Sequence, residues 1–262
     1  MRHGERSPEH ARRGRSPRRI GPSAAPPAPD IVVLEHRFDS IESLASALAS
    51  NLAIDLVRAI ERRGRASLMV SGGRTPAPVF SALARRPIEW SKVIVGLVDE
   101  RWVAPDHVDS NERLLRQTLL TQRGAAATFV PMKNPATSAA AGQPACEQAI
   151  AAIPRPFDVV VLGMGNDGHT ASLFPHTPQL AMGLDPTNPA LTMATAPATA
   201  AHERLSLTLR GLLDSRRIVL LLSGSAKWQA YQRARQPGPA SELPVRAVLE
   251  QSTTPVDVYW CG

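Results

Sequence analysis

The chain has 262 residues, a formal net charge of +7 and two cysteines, Cys146 and Cys261. Two thiols make neither a disulfide framework nor a metal-ligand spacing and suit a reduced, cytoplasmic protein. No run of about 18 apolar residues is evident, so no membrane span is expected, and the length is ample for one large α/β domain.

Residues 1–29 stand apart from the rest. They carry seven of the 30 basic and two of the 23 acidic residues, together with Pro22, Pro26, Pro27 and Pro29, and show no apolar period. Such a segment cannot bury enough surface to offset its ordering entropy, and a disordered tail is expected. The start lacks the apolar stretch of a secretion signal and contains Glu5 and Glu9, which favours a dispensable extension over a transit peptide. The remaining 30–262 carry a net charge of only +2. The basic balance is therefore a property of the tail, and nucleic acid is not expected as a partner of the body.

Strand and helix signals then alternate to the C-terminus. A short strand at 31–34 leads to Asp39, which with Glu42 has the spacing of a capping box. The helix that follows sets Ile41, Leu44, Ala45, Leu48, Leu52, Leu56 and Ile60 on one face and stops at Gly64. A strand at 67–70 runs into Ser71-Gly72-Gly73-Arg74-Thr75-Pro76, with Thr75 placed to cap and Pro76 to open a helix through Val79, Phe80 and Leu83. The glycines let backbone approach a ligand, and free N–H groups at such a turn favour an anion such as a sugar phosphate.

An apolar strand at 93–98 ends in Asp99-Glu100-Arg101-Trp102, whose charges are expected at a sheet edge because burying unpaired ions costs several kcal/mol. Arg101 could face an anionic substrate or a developing oxyanion. Asp109 with Glu112 reads as a second capping box before a helix through Leu114, Leu115 and Leu119. Further strands are expected at 129–130, 158–162, 191–194, 204–209, 218–222 and 256–260, with an alanine-rich surface helix at 137–152 and a partly irregular stretch at 186–201. Continuous apolar strands separated by helices predict an open, largely parallel sheet with helices on both faces. Such sheets bind ligands beyond the carboxyl ends of their strands, where the polar loops fall.

The strand at 158–162 enters Gly163-Met164-Gly165-Asn166-Asp167-Gly168-His169, which offers an imidazole beside a carboxylate that could orient it as a general base. Gly224-Ser225-Ala226-Lys227 repeats the strand–glycine–helix pattern and puts a lysine in the first helical turn, where a ligand anion would offset the unfavourable dipole. Arg204 is a further candidate anion contact. Each feature alone also has a plain reading as a turn, a surface ion pair or an exposed cation; their convergence at one end of the sheet favours a site.

Other chemistries fit less well. Gly163-x-Gly165-x-x-Gly168 matches the dinucleotide fingerprint, yet Pro175 follows too soon for its helix, and the acid expected about 20 residues on, Asp185, sits in a turn. There is no G-x-S-x-G elbow, and the histidines show no HExxH or comparable metal spacing.

Three motifs together resemble those of the glucosamine-6-phosphate isomerase/6-phosphogluconolactonase family: Ser71-Gly72-Gly73-x-Thr75-Pro76; Asp99-Glu100-Arg101-x-Val103 with Asp109-Ser110-Asn111; and Gly163-x-Gly165-x-Asp167-Gly168-His169-Thr170-Ala171-Ser172-Leu173-Phe174-Pro175. The resemblance runs from about residue 31 to the C-terminus. It implies a NagB/RpiA-like single domain at 30–262 that hydrolyses 6-phospho-D-glucono-1,5-lactone, the second step of the oxidative pentose phosphate pathway, with no metal or organic cofactor. It further implies His169 as general base, Asp167 as its orienting acid, Arg101 for charge on the lactone, and Ser71, Gly72, Gly73, Thr75, Arg204 and Lys227 for the phosphate. The expected partner is the small sugar-phosphate lactone alone, and a monomer is expected. The related deaminases carry a glutamate where this chain has Phe174, and His176 stands where a glycine is usual. The alternatives are an amino-sugar phosphate deaminase and a catalytically silent sugar-phosphate sensor.

Overall fold

Runs of valine, isoleucine and leucine at regular spacing become the frame of the molecule, a computed structural model that describes residues 33–262 together with Met1 and Gly4. The expected tail at 1–29 lies outside the described residues apart from those two positions. In chain order the elements are β1 (Leu34–Phe38), α1 (Ile41–Arg63), β2 (Ala66–Val70), α2 (Ala77–Leu83), β3 (Val93–Leu97), β4 (Asp99–Arg101), α3 (Asn111–Thr118), β5 (Thr128–Val130), α4 (Ala139–Ala151), β6 (Val159–Leu162), α5 (Leu180–Leu184), β7 (Thr192–Thr195), β8 (Arg204–Leu207), α6 (Leu209–Leu213), β9 (Ile218–Ser223), α7 (Ser225–Ala234), α8 (Arg246–Leu249) and β10 (Val256–Cys261).

Seven strands form a parallel sheet in the order β1-β10-β9-β6-β2-β3-β5. Every residue of β2 and β6 is buried, so both faces of the sheet centre are covered, as their unalternating sequences require. The strand order also fixes where a ligand belongs. From β2 the chain winds outward through β3 and β5, returns to β6 on the other side of β2, and winds outward again through β9 and β10. The direction reverses between β2 and β6, and the crevice at such a reversal, beyond the carboxyl ends of the strands, is where open α/β sheets hold ligands. The two loops that leave β2 and β6 there are the glycine loops at 71–76 and 163–169.

Several expectations need correction. β1 begins at Leu34 and runs through Glu35, His36 and Arg37, an edge strand half open to solvent; Ile31 and Val32 lie outside the described residues. The cap of α1 is Ser40, whose hydroxyl accepts the Ser43 N–H at 3.2 Å, and that of α3 is Ser110, which accepts the Arg113 N–H at 3.2 Å. In both cases the aspartate expected to cap lies one residue too early. Strands expected at 191–194 and 204–209 do not join the large sheet. They become β7 and β8 of a separate antiparallel sheet ordered β4-β8-β7, attached where the Leu207 N–H meets the Val98 carbonyl at 2.7 Å. The alanine-rich helix is α4, and it is no mere surface feature: Glu147 accepts the N–H groups of Leu191 and Thr192 at 2.8 and 2.7 Å, closing the edge of that sheet.

Contrary to the expectation of no such run, α1 spans 23 residues and by length and composition is apolar enough to cross a membrane. Its Leu44, Leu48, Leu52 and Leu56 are fully buried and it packs on β2 and β10, so the core accounts for its apolarity.

Candidate active site

The loop after β6 is shaped by glycines. The Gly165 N–H donates to the His169 carbonyl at 2.9 Å and the Gly168 N–H to the Gly165 carbonyl at 3.0 Å, which curls the chain so that Asp167 and His169 face each other. A Cβ on Gly165 would collide with the Asp167 carboxylate and the His169 ring. Asp167 Oδ1 lies 2.6 Å from His169 Nδ1 and also accepts the His169 backbone N–H at 3.2 Å. With the Nδ1 proton donated to Asp167, the lone pair resides on Nε2. Partial burial raises the Asp167 carboxyl, but the hydrogen bond and charge of His169 pull it further the other way, so its pKa lies below the ordinary aspartate value.

The imidazole is held from the side as well. Its ring stacks on Phe174 at a centroid distance of 4.1 Å and an interplanar angle of 23°, and the Arg204 guanidinium sits 5.2 Å from the same phenyl centroid. Phe174 is buried, so the stack is fixed by the core.

The small sheet delivers the arginines. β4 pairs with β8 in a register that sets Arg101 opposite Arg204. Its acids lie on the edge strand of this small sheet, yet they are buried rather than open to water: Asp99 is 5% and Glu100 1% exposed. Burial is tolerated because their oxygens are supplied with donors. Glu100 accepts the N–H groups of Arg101, Asn111 and Glu112 at 2.8, 2.8 and 2.7 Å, and so closes the N-terminus of α3; burial still pushes its carboxyl up. Asp99 accepts the Ser172 hydroxyl at 2.6 Å and the Asn111 amide at 3.3 Å, and stands 3.9 Å from Arg204. Arg101 Nη1 donates to the Asp109 carbonyl at 2.5 Å.

These residues converge on a cleft of about 200 Å³ lined by Ser71, Gly72, Gly73, Arg101, His169, Arg204 and Lys227, with Asp99 and Asn111 in its wall. Burial lowers the Arg204 pKa, as it does that of Lys227, to which Arg74 adds repulsion. Two candidates stand elsewhere. Asp167 does not line the cleft; it touches His169, which does. Thr75 does not line the cleft or cap α2; its hydroxyl is 2.8 Å from that of Ser223, tying the β2 and β9 loops together. Sequence reasoning missed Asn111, Asp99 and Phe174 as parts of the site. The signal for Asn111 was its place in the motif Asp109-Ser110-Asn111; in the fold its amide fills the space that a Cβ on Gly72 would take. His176 has φ +59°, the left-handed region, which accounts for the glycine usual at that position.

A model of the family described as glucosamine-6-phosphate isomerases/6-phosphogluconolactonase matches residues 39–260. The chain belongs to this family. The 6-phosphogluconolactonase of Rhizobium meliloti is 43% identical over 225 residues, which cover 86% of this chain and 97% of that relative. The 6-phosphogluconolactonase of Mesorhizobium japonicum is 44% identical over 223 residues, 85% of this chain and 93% of the relative. The crystal structure of a 6-phosphogluconolactonase from Shewanella baltica aligns with a TM-score of 0.86 at 45% identity, covering 88% of this chain and 98% of that one. In family terms, the cleft joins the three motifs on which the sequence resemblance rests.

Proposed function

We propose that this chain hydrolyses 6-phospho-D-glucono-1,5-lactone to 6-phospho-D-gluconate by general-base activation of water at His169. The observation that carries the reading is the 2.6 Å contact between His169 Nδ1 and Asp167 at the mouth of a cleft whose wall is cationic. His169 Nε2 takes a proton from water as the oxygen attacks the lactone carbonyl carbon. The tetrahedral oxyanion that forms is stabilised by Arg101; its collapse breaks the bond to the ring oxygen, which receives the proton back from the imidazolium. A δ-lactone is an activated ester, so no covalent nucleophile is needed. Ser71, Gly72, Gly73, Arg204 and Lys227 hold the distant phosphate by charge-assisted hydrogen bonds, and Thr75 acts indirectly by fixing their loop to that of Ser223.

Phe174 favours this reading over an amino-sugar phosphate deaminase, because an aromatic ring rather than an acid packs on the imidazole. The protein is read as a cytoplasmic monomer with the sugar-phosphate lactone as its partner and no role in binding nucleic acid or membrane. The test is acid release from freshly generated phosphogluconolactone followed against its spontaneous hydrolysis. Acceleration that saturates with lactone is expected; a rate equal to the background, or ammonia release from glucosamine 6-phosphate, would overturn the proposal.

A further inference from the structure

On the rim of the cleft, outside the groups assigned to the reaction, His107, Asp109 and His202 each offer one ligand atom, and these atoms lie within 4.8 Å of one another. No sequence spacing announces the group, since His202 comes from the stretch that precedes β8 while the other two flank Val108 in the turn before α3. Asp109 Oδ2 is 3.0 Å from His202 Nε2 and 3.8 Å from His107 Nδ1, and the two rings meet edge-on at 5.5 Å.

A tetrahedral zinc ion with bonds of about 2.0–2.2 Å holds its ligand atoms roughly 3.4 Å apart. The two spacings from Asp109 fall on either side of that value, and the third closes by rotation of exposed side chains. The ion replaces two hydrogen bonds, both in a region open to water: His107 Nδ1 gives up the Asp109 N–H that it accepts at 3.1 Å, and His202 Nε2 exchanges its 3.0 Å contact with Asp109 Oδ2 for the ion. Two imidazoles with one carboxylate suit a borderline ion, whereas calcium and magnesium prefer all-oxygen sites.

We propose that His107, Asp109 and His202 form a binding site for one zinc-type divalent cation at the rim of the cleft, with the fourth position left to water. The inference is independent of the lactonase reading. Its structural consequence is a clip. Asp109 gives its carbonyl to Arg101, and His202 stands just ahead of Arg204, the residue that faces Arg101 across the β4–β8 pair. A bound ion would join the turn before α3 to the segment before β8 at the end where both arginines enter the cleft.

The test is equilibrium binding of Zn²⁺ to the full chain, by competition with a chromophoric chelator, beside its His107→Ala and His202→Asn variants and their double variant. Asparagine is chosen at 202 because that position has φ +69°, which asparagine tolerates. One high-affinity equivalent is expected in the wild type, weakened about tenfold or more in each single variant and lost in the double variant, since affinity depends on each ligand. Zn²⁺ should also raise the thermal midpoint of the wild type and not of the double variant, and Mg²⁺ should do neither. The proposal is overturned by an absence of wild-type binding, or by an equivalent that persists in the double variant and so belongs to other histidines.

Discussion

The two ends of the large sheet are both crowded with charge and use it in opposite ways. At the amino ends of the strands, Arg217 donates to Asp257 at 2.7 Å and to Asp55 at 2.6 Å, while Asp257 also lies 2.8 Å from His36. Close by, Asp158 is paired with Arg63 and accepts the Ser67 N–H at 2.8 Å. At the carboxyl ends, Arg101, Arg204 and Lys227 share a cleft in which the nearest acid to Arg204 is Asp99 at 3.9 Å. The pKa directions express the contrast. Burial would lower Arg217, but Asp257 and Asp55 carry it above the ordinary arginine value, whereas burial prevails at Arg204 and Lys227 and leaves both below theirs. One end is neutralised from within the chain; the other is short of negative charge, and an anionic ligand supplies what is missing.

The sharpest way to break this contrast is at His169. His169→Ala should reduce kcat by about 10²- to 10⁴-fold, the usual worth of a general base, with KM and thermal midpoint nearly unchanged. An unchanged kcat would remove the imidazole from the mechanism. At the opposite end, Arg217→Met should leave KM and kcat alone but cost about 2–3 kcal/mol in denaturant unfolding, because Asp257 and Asp55 lose a partly buried counter-ion. A kinetic defect in that variant without loss of stability would erase the distinction between the two ends.

Lys227→Ala comes next, with KM raised roughly 10- to 100-fold and kcat largely kept, the scale of one hydrogen bond to a charged group. Its pH dependence sharpens the point. A free-enzyme pKa below the ordinary lysine value means that the proton leaves earlier as pH rises, while the bound phosphate favours the charged form. Affinity for 6-phosphogluconate, measured by calorimetry, should therefore fall on the alkaline side below the ordinary lysine range, and Lys227→Arg should abolish that fall. The smallest effect is at His176, where glycine relieves a left-handed backbone costing about 1–2 kcal/mol but adds about 0.5–1 kcal/mol of unfolded-chain entropy. His176→Gly should stabilise by about 0.5 kcal/mol, read from the denaturation midpoint.

Most of the frame could be read from the sequence because its signals are local. The apolar stripe of α1, its stop at Gly64 and the buried runs of β2, β6 and β9 each follow from periodicity or composition. The glycine loops and the Asp167/His169 pair were legible for the same reason. What escaped depended on partners distant in the chain. The burial of Asp99 and Glu100 escaped because nothing in the sequence shows that Ser172, Asn111 and the first turn of α3 would satisfy them. β7 and β8 carry ordinary strand signals, which do not state which sheet they join. Thr75 has the composition of a cap, yet its hydroxyl is taken by Ser223, far along the chain.

The pairing of β4 with β8 carries a consequence for how the protein is judged to be intact. Neighbouring strand residues point to opposite faces, so a shift of one position would turn the arginines away and bring their acidic and apolar neighbours forward. The proper alignment rests on Leu205 and Leu207 in the core and on the grip of Glu100 at the start of α3. A molecule with this strand pair misaligned would keep its large sheet and its far-ultraviolet spectrum while losing turnover. Specific activity, rather than any measure of bulk folding, is thus the faithful gauge of a correctly assembled molecule.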